Sequence, residues 1–270
     1  MNGRVSALYR IGLALLLIVA VLVAAALAGD VGVRADFMNR LSAPSWLHPF
    51  GTDQMGRDML ARSLHGLALS LWVGLLAASL SVLISTLVAL TSALGERADR
   101  VATFITDAML SMPHLMLLIL LSFAMGGGTS AVILAVAISH WPRLARVLRV
   151  ELREVQAATY VEASYALGKS RLFIAWSHIL PHLAPHILVG ALLMFPHAIL
   201  HEAGLTFLGF GLEPSRPAIG VMLSDSMRHI SAGRWWLALF PGLMLMVLVL
   251  AFEALGSASR RLLTPREAQC

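Results

Sequence analysis

The sequence predicts an all-α integral membrane protein with six transmembrane helices, and three observations predict it. Of 270 residues, 58% are hydrophobic and 13% charged, and the mean hydropathy is +0.80, far outside the soluble globular range. Uncharged runs of about the 20 residues that a helix needs to cross a bilayer recur along the chain. The basic residues fall mainly in the connections between those runs.

The first run, Ile11–Gly29, follows Arg4 and Arg10. That cationic start and Ala26-Leu27-Ala28 also fit a cleavable signal peptide, but the apolar core is at the long end for one, so a retained first span is expected. The second run is Gly66–Gly95. The third, Ala108–Pro142, is too long for one crossing, and Gly126-Gly127-Gly128-Thr129-Ser130 in its middle marks a turn between spans three and four. Leu183–His201 and Trp235–Phe252 supply the fifth and sixth. The expected organisation is a first helix over 1–28, an outer loop over 29–65, a membrane core over 66–257 that includes a polar loop at 143–181, and a tail over 258–270.

Placing the N terminus in the cytoplasm gathers most of the positive charge on one side: Arg4, Arg10, Arg97, Arg100, the 143–181 loop (Arg143, Arg146, Arg149, Arg153, Lys169, Arg171) and the tail (Arg260, Arg261, Arg266). Fewer cations, Arg34, Arg40, Arg57, Arg62, Arg216, Arg228 and Arg234, fall outside. The positive-inside rule therefore predicts both termini in the cytoplasm. The pI near 10.3 then reports orientation, not a nucleic-acid partner. The single cysteine, Cys270, excludes an internal disulfide and a cysteine metal cluster.

Four motifs carry a resemblance. In the polar loop, Glu162-Ala163-Ser164, then Gly168, then His178-Ile179-Leu180-Pro181 resembles the cytoplasmic coupling loop of ATP-binding cassette importer permeases. Read from its residues, a short helix through Glu162 ends at Gly168, which enters the left-handed cap without strain, and Pro181 helps break the chain before the next span. An ordinary amphipathic helix at the membrane surface fits the same spacing. His48-Pro49-Phe50-Gly51-Thr52-Asp53-Gln54-Met55-Gly56-Arg57-Asp58 resembles an element of the dipeptide, oligopeptide and nickel permeases. Gly51 and Gly56 permit tight turns there and Asp53, Arg57 and Asp58 can form a charge network, so an ordered loop is expected. Glu202-Ala203-Gly204-Leu205-Thr206-Phe207-Leu208-Gly209-Phe210-Gly211 with Gly220-Val221-Met222, and the closing Leu263-Thr264-Pro265-Arg266, are similar to the same subfamily. Ile219 and Glu253-Ala254-Leu255-Gly256-Ser257 depart from it.

The resemblance implies a non-catalytic permease of the bacterial inner membrane, the second of a heterodimeric pair, with a cytoplasmic coupling helix between spans 4 and 5. It implies two cytoplasmic ATPases, a periplasmic substrate-binding protein and surrounding membrane lipids as partners, and alternating access driven by ATP. Glu162, Ala163, Ser164, Gly168 and Pro181 would then engage the ATPases. No complete Gly-x-x-x-x-Gly-Lys-Ser/Thr phosphate loop occurs in the chain, so no cofactor is expected here; ATP and Mg belong to the partners.

The chain has 10 histidines. His197 and His201 are four apart on the fifth span, facing one way, beside Glu202. Ionisable side chains in a membrane helix are costly and mark pathways, and imidazole suits nickel, copper and zinc. His197, His201 and Glu202 are therefore the expected substrate pathway, with His197 and His201 as metal ligands; interhelical hydrogen bonding is the alternative. Around these residues and at Ser139-His140-Trp141 the chain resembles nickel-type members, so nickel or another transition metal, free or chelated, is the expected cargo, and a dipeptide or oligopeptide the alternative. His178, His182 and His186 also repeat every four residues, but Pro181 and Pro185 disturb that face. Arg143, Arg146, Arg149 and Arg153 form a stripe expected to face lipid headgroups, the ATPase or solvent. A channel lacks a filter element here, and no His-Glu-x-x-His pair or Gly-x-Ser-x-Gly elbow supports an intramembrane enzyme.

Overall fold

The structure, a computed structural model, describes residues 3–263. Among the described residues there is no strand, only an isolated bridge between Thr52 and Asp58. The helices are α1 (Gly3–Ala28), α2 (Met59–Ser92), α3 (Glu96–Ser111), α4 (His114–Ala124), α5 (Gly128–Gln156), α6 (Thr159–Ala166), α7 (Arg171–Ile174), α8 (Leu180–Phe207), α9 (Ile219–Ile230) and α10 (Trp236–Leu263).

Among the described residues, five helical stretches are long and apolar enough to cross a membrane: α1, α2, α5, Arg171–Phe207 and α10. A sixth crossing exists if α3 and α4 count as one, and these are bent by 96°. The expected straight span from Ala108 is thus a broken one. Pro113 has no N–H to continue the helix and pushes the residue before it out of the α region; Met112 is extended, with ψ 140. The glycine turn lies where the sequence put it, with Gly126, Gly127 and Gly128 all at positive φ. Helix boundaries run past the expected ones: α2 begins at Met59, α5 reaches Gln156 inside the polar loop, and α10 extends to Leu263. The motif residues Thr264, Pro265 and Arg266, and Cys270, lie outside the described residues.

Pro181 does not break the chain. Helix is continuous from α7 through a π-helical turn, Ala175–Ile179, into α8. Pro181 directly follows the π-turn, a local adjustment of the kind that accommodates the missing N–H inside a helix.

Three apolar clusters stack along α2. One joins Leu67 and Leu71 to Phe195, Ile199, Leu248 and Phe252, with α1 packed on its flank through Ala14. A second joins Val73 and Ala77 to Leu118, Val132 and Val136. The third joins Ala89 to Leu148, Ile174 and Leu183. Small residues bring the spans together, as in membrane proteins where packing rather than hydrophobicity drives association. A Cβ on Gly190 of α8 would lie 2.4 Å from Leu144 Cδ1 of α5. Ser85 Oγ of α2 lies 2.9 Å from the Trp141 carbonyl of α5, a polar contact between the two spans beside Pro142.

Candidate functional site

At one end of the bundle, residues before α2 form an ordered loop. Asp53 accepts from the Met55 and Arg57 backbone N–H groups at 2.8 and 3.0 Å, from Arg57 Nε at 2.7 Å and from Arg62. Burial pushes the Asp53 carboxyl up, but the Arg57 N–H, the Arg62 and Arg57 charges and the Met55 N–H outweigh it, and it lies below its ordinary 3.8. Asp58 does not join this pair. It caps α2 by accepting from the Ala61 N–H at 2.9 Å and pairs with His48 Nδ1 at 2.8 Å. Gly56 is obligatory: it sits at φ +75, and a Cβ would lie 1.6 Å from the Asp36 oxygen.

At the opposite end stands α6. Its Val161 is fully buried in the third cluster, while Glu162 and Ala163 are exposed. The helix ends as its sequence predicts, in a Schellman turn: Lys169 N–H donates to Ser164 O at 3.1 Å, Gly168 N–H to Tyr165 O at 3.0 Å, and Gly168 has φ +74. Ser164 Oγ lies 3.0 Å from His178 Nε2, tying α6 to the π-turn, and Arg171 donates to the Leu94 carbonyl. Pro181 is on α8, beyond this knob. Beside it, Gly95, Glu96, Asp99, Arg153, Lys169 and Arg171 line a polar groove.

Three arginines of the α5 stripe pair with α3, Arg149 buried and Arg146 and Arg153 exposed. Arg146 pairs with Asp107 at 2.7 Å, and Arg149 and Arg153 share Asp99 at 2.5 and 2.9 Å. These residues clamp the broken span to α5, a partner for Asp107 that sequence spacing did not reveal.

Between the two ends, His197, His201 and Glu202 separate. Glu202 is fully buried and accepts from Ser70 Oγ of α2 at 2.6 Å and Thr206 Oγ1 at 3.1 Å. His197 is exposed, its Nδ1 3.1 Å from the Leu193 carbonyl. His201 instead meets His140 of α5 and His114, the first residue of α4: ring centroids are 4.6 to 4.9 Å apart. One ring nitrogen from each of the three lies within 4.8 Å of the others. His114 was missed from the sequence, though a polar side chain in an apolar run is a signal of its own. The discounted histidines are occupied elsewhere: His178 on Ser164, and His186 3.5 Å from Glu151 with His182 beside it.

The described residues thus form a bundle of five or six candidate spans with a capped helical knob at one end and a histidine cluster among the helices. The pattern of binding-protein-dependent transport system inner membrane components matches residues 81–267, and the chain belongs to that family. It is 36% identical over 260 residues, 96% of its length and 88% of the relative's, to a putative peptide transport system permease protein of Brucella suis. It is 32% identical over 235 residues, 87% of its length and 73% of the relative's, to the dipeptide transport system permease protein DppC of Bacillus subtilis. A solved amino acid ABC transporter with histidines shares the fold, with a TM-score of 0.56 at 19% identity over 78% of this chain and 95% of that one. Membership implies a partner ATPase and a binding protein.

Proposed function

We propose that the chain is one of two different permease subunits of an importer in the bacterial cytoplasmic membrane, with both termini in the cytoplasm, and that its cargo is a short peptide. The observation that carries the cargo is the 36% identity across 96% of the chain to a protein named a peptide permease. Nickel, the cargo expected from sequence, is the second reading, favoured by the converging histidines; its path would follow the α8 face bearing His197 and His201.

In the proposed cycle a periplasmic protein delivers cargo, and two cytoplasmic ATPases, which hold ATP and Mg, close on binding nucleotide. Exposed Glu162 and Ala163 on α6 then transmit that closure, with Ser164 and the Gly168 cap keeping the knob rigid and Pro181 standing just past the π-turn in the helix it pushes on. The chain itself performs no catalysis; membrane lipids surround it.

Uptake of labelled dipeptide and of labelled nickel, free and chelated, in cells lacking this chain and cells complemented with it tests the cargo. Loss of peptide uptake is expected; loss of metal uptake alone would overturn the peptide reading in favour of the second. In the reconstituted assembly, Gly168→Pro should lower transport per ATP hydrolysed by about tenfold, within the range of typical coupling energies. Unaltered transport per ATP would remove α6 from the coupling path.

A further inference from the structure

His114, His140 and His201 come from three helices and converge inside the membrane-spanning region. Gly128 N–H donates to the Gly211 carbonyl, so the start of α5 and the end of α8 lie at one surface. At 1.5 Å per helical residue, His201 lies about 9 Å of helix from the end of α8 and His140 about 18 Å from the start of α5, so both stand within helices long and apolar enough to span the membrane.

Hydrogen bonds decide which nitrogens are available. His140 Nδ1 is 2.9 Å from the Val136 carbonyl and His201 Nδ1 is 2.7 Å from the His197 carbonyl. A carbonyl only accepts, so each Nδ1 carries the proton and each Nε2 keeps its lone pair, the tautomer and second-sphere support that metal-binding histidines use. His140 Nε2 lies 3.3 Å from His201 Nδ1, so in this structure its lone pair faces that N–H, and a small turn of the His201 ring must bring Nε2 round in its place. His114 Nε2 is buried without a hydrogen-bond partner, a costly state at this depth unless something fills it. Nitrogens held at 2.0–2.1 Å by one tetrahedral ion are about 3.3 Å apart. The separations, up to 4.8 Å, close by side-chain rotation.

We propose that His114, His140 and His201 bind one divalent transition-metal ion of the zinc, nickel or cobalt class, with at least one coordination position left for an outside ligand. Three imidazoles without a carboxylate suit such ions and disfavour magnesium and calcium; Glu202 is committed to Ser70 and Thr206. Arg143 is within electrostatic reach of all three rings, so an anionic donor in the open position strengthens the site. The site does not rest on the peptide reading.

The test uses the chain purified with its partner subunits in lipid nanodiscs, stripped of metal and titrated with Co²⁺ alone. Visible absorption reads nitrogen ligation, and dialysis reads stoichiometry. One ion per chain is expected, with affinity falling about hundredfold in His140→Gln, His201→Gln and His114→Gln and holding in His182→Gln. No bound cobalt in the wild type, or equal affinity in wild type and His114→Gln, would overturn the site. His114 is the deciding position because its Nε2 holds nothing whose loss would unfold the chain. Peptide uptake by the same assembly is scored separately, so failure of the cargo reading is distinguishable from failure of the metal site.

Discussion

His201 and Glu202 are neighbours in sequence and opposites in structure. Glu202 is fully buried and both its oxygens accept from hydroxyls, those of Ser70 and Thr206. His201 is only partly buried and turns toward two other imidazoles, one of which has an orphaned nitrogen. A polar group whose partners all lie within the protein acts as a strut between α2 and α8. A cluster with unused lone pairs has capacity left for a ligand. At equal depth in the membrane, satisfaction separates scaffold from site.

If so, the largest effect should come from Glu202→Ala. It leaves two buried hydroxyls without their acceptor and opens a cavity, costing about 3 kcal/mol, and is read as loss of thermal stability in detergent. Glu202→Gln, which keeps an oxygen for one hydroxyl, should cost less. A Glu202→Ala protein as stable as wild type would end the strut role.

Asp53 provides the same contrast outside the membrane, against the exposed Asp30–Arg34 pair. Asp53→Asn should cost about 2 kcal/mol, the worth of charge-assisted bonds from Arg57 and Arg62, while Asp30→Asn should cost little. The folded Asp53 carboxyl lies below 3.8, so its contribution is present above the unfolded value and is lost as pH falls through the folded one. Melting the wild type and Asp53→Asn from pH 6 down should show their difference shrinking only below about pH 4.

Much of this was legible. Hydropathy marked the spans, three glycines marked the turn at 126–128, and Gly168 marked the end of α6, because local chemistry decides each. The broken span was not, since the apolar run passes through Pro113 without a change in composition, and α3 owes its place to Asp99 and Asp107 pairing with arginines some 40 to 50 residues on. Four-residue spacing grouped His197 with His201, yet the partners of His201 come from other helices. Adjacency grouped Glu202 with it, although consecutive helical residues point about 100° apart.

The smallest effect should be that of His201→Gln on metal-free stability, about 1 kcal/mol or less. Among the described residues, His201 meets the carbonyl of its own helix, a long hydrogen-bond contact to His140 and the edge of the His114 ring. Adding Co²⁺ should then separate the two proteins. An ion that binds only the folded state raises stability by about 2.7 kcal/mol at a hundred times its dissociation constant, and the wild type should gain this while His201→Gln does not. A metal-free loss as large as that of Glu202→Ala would make His201 a strut like its neighbour, and the contrast between the two residues would disappear.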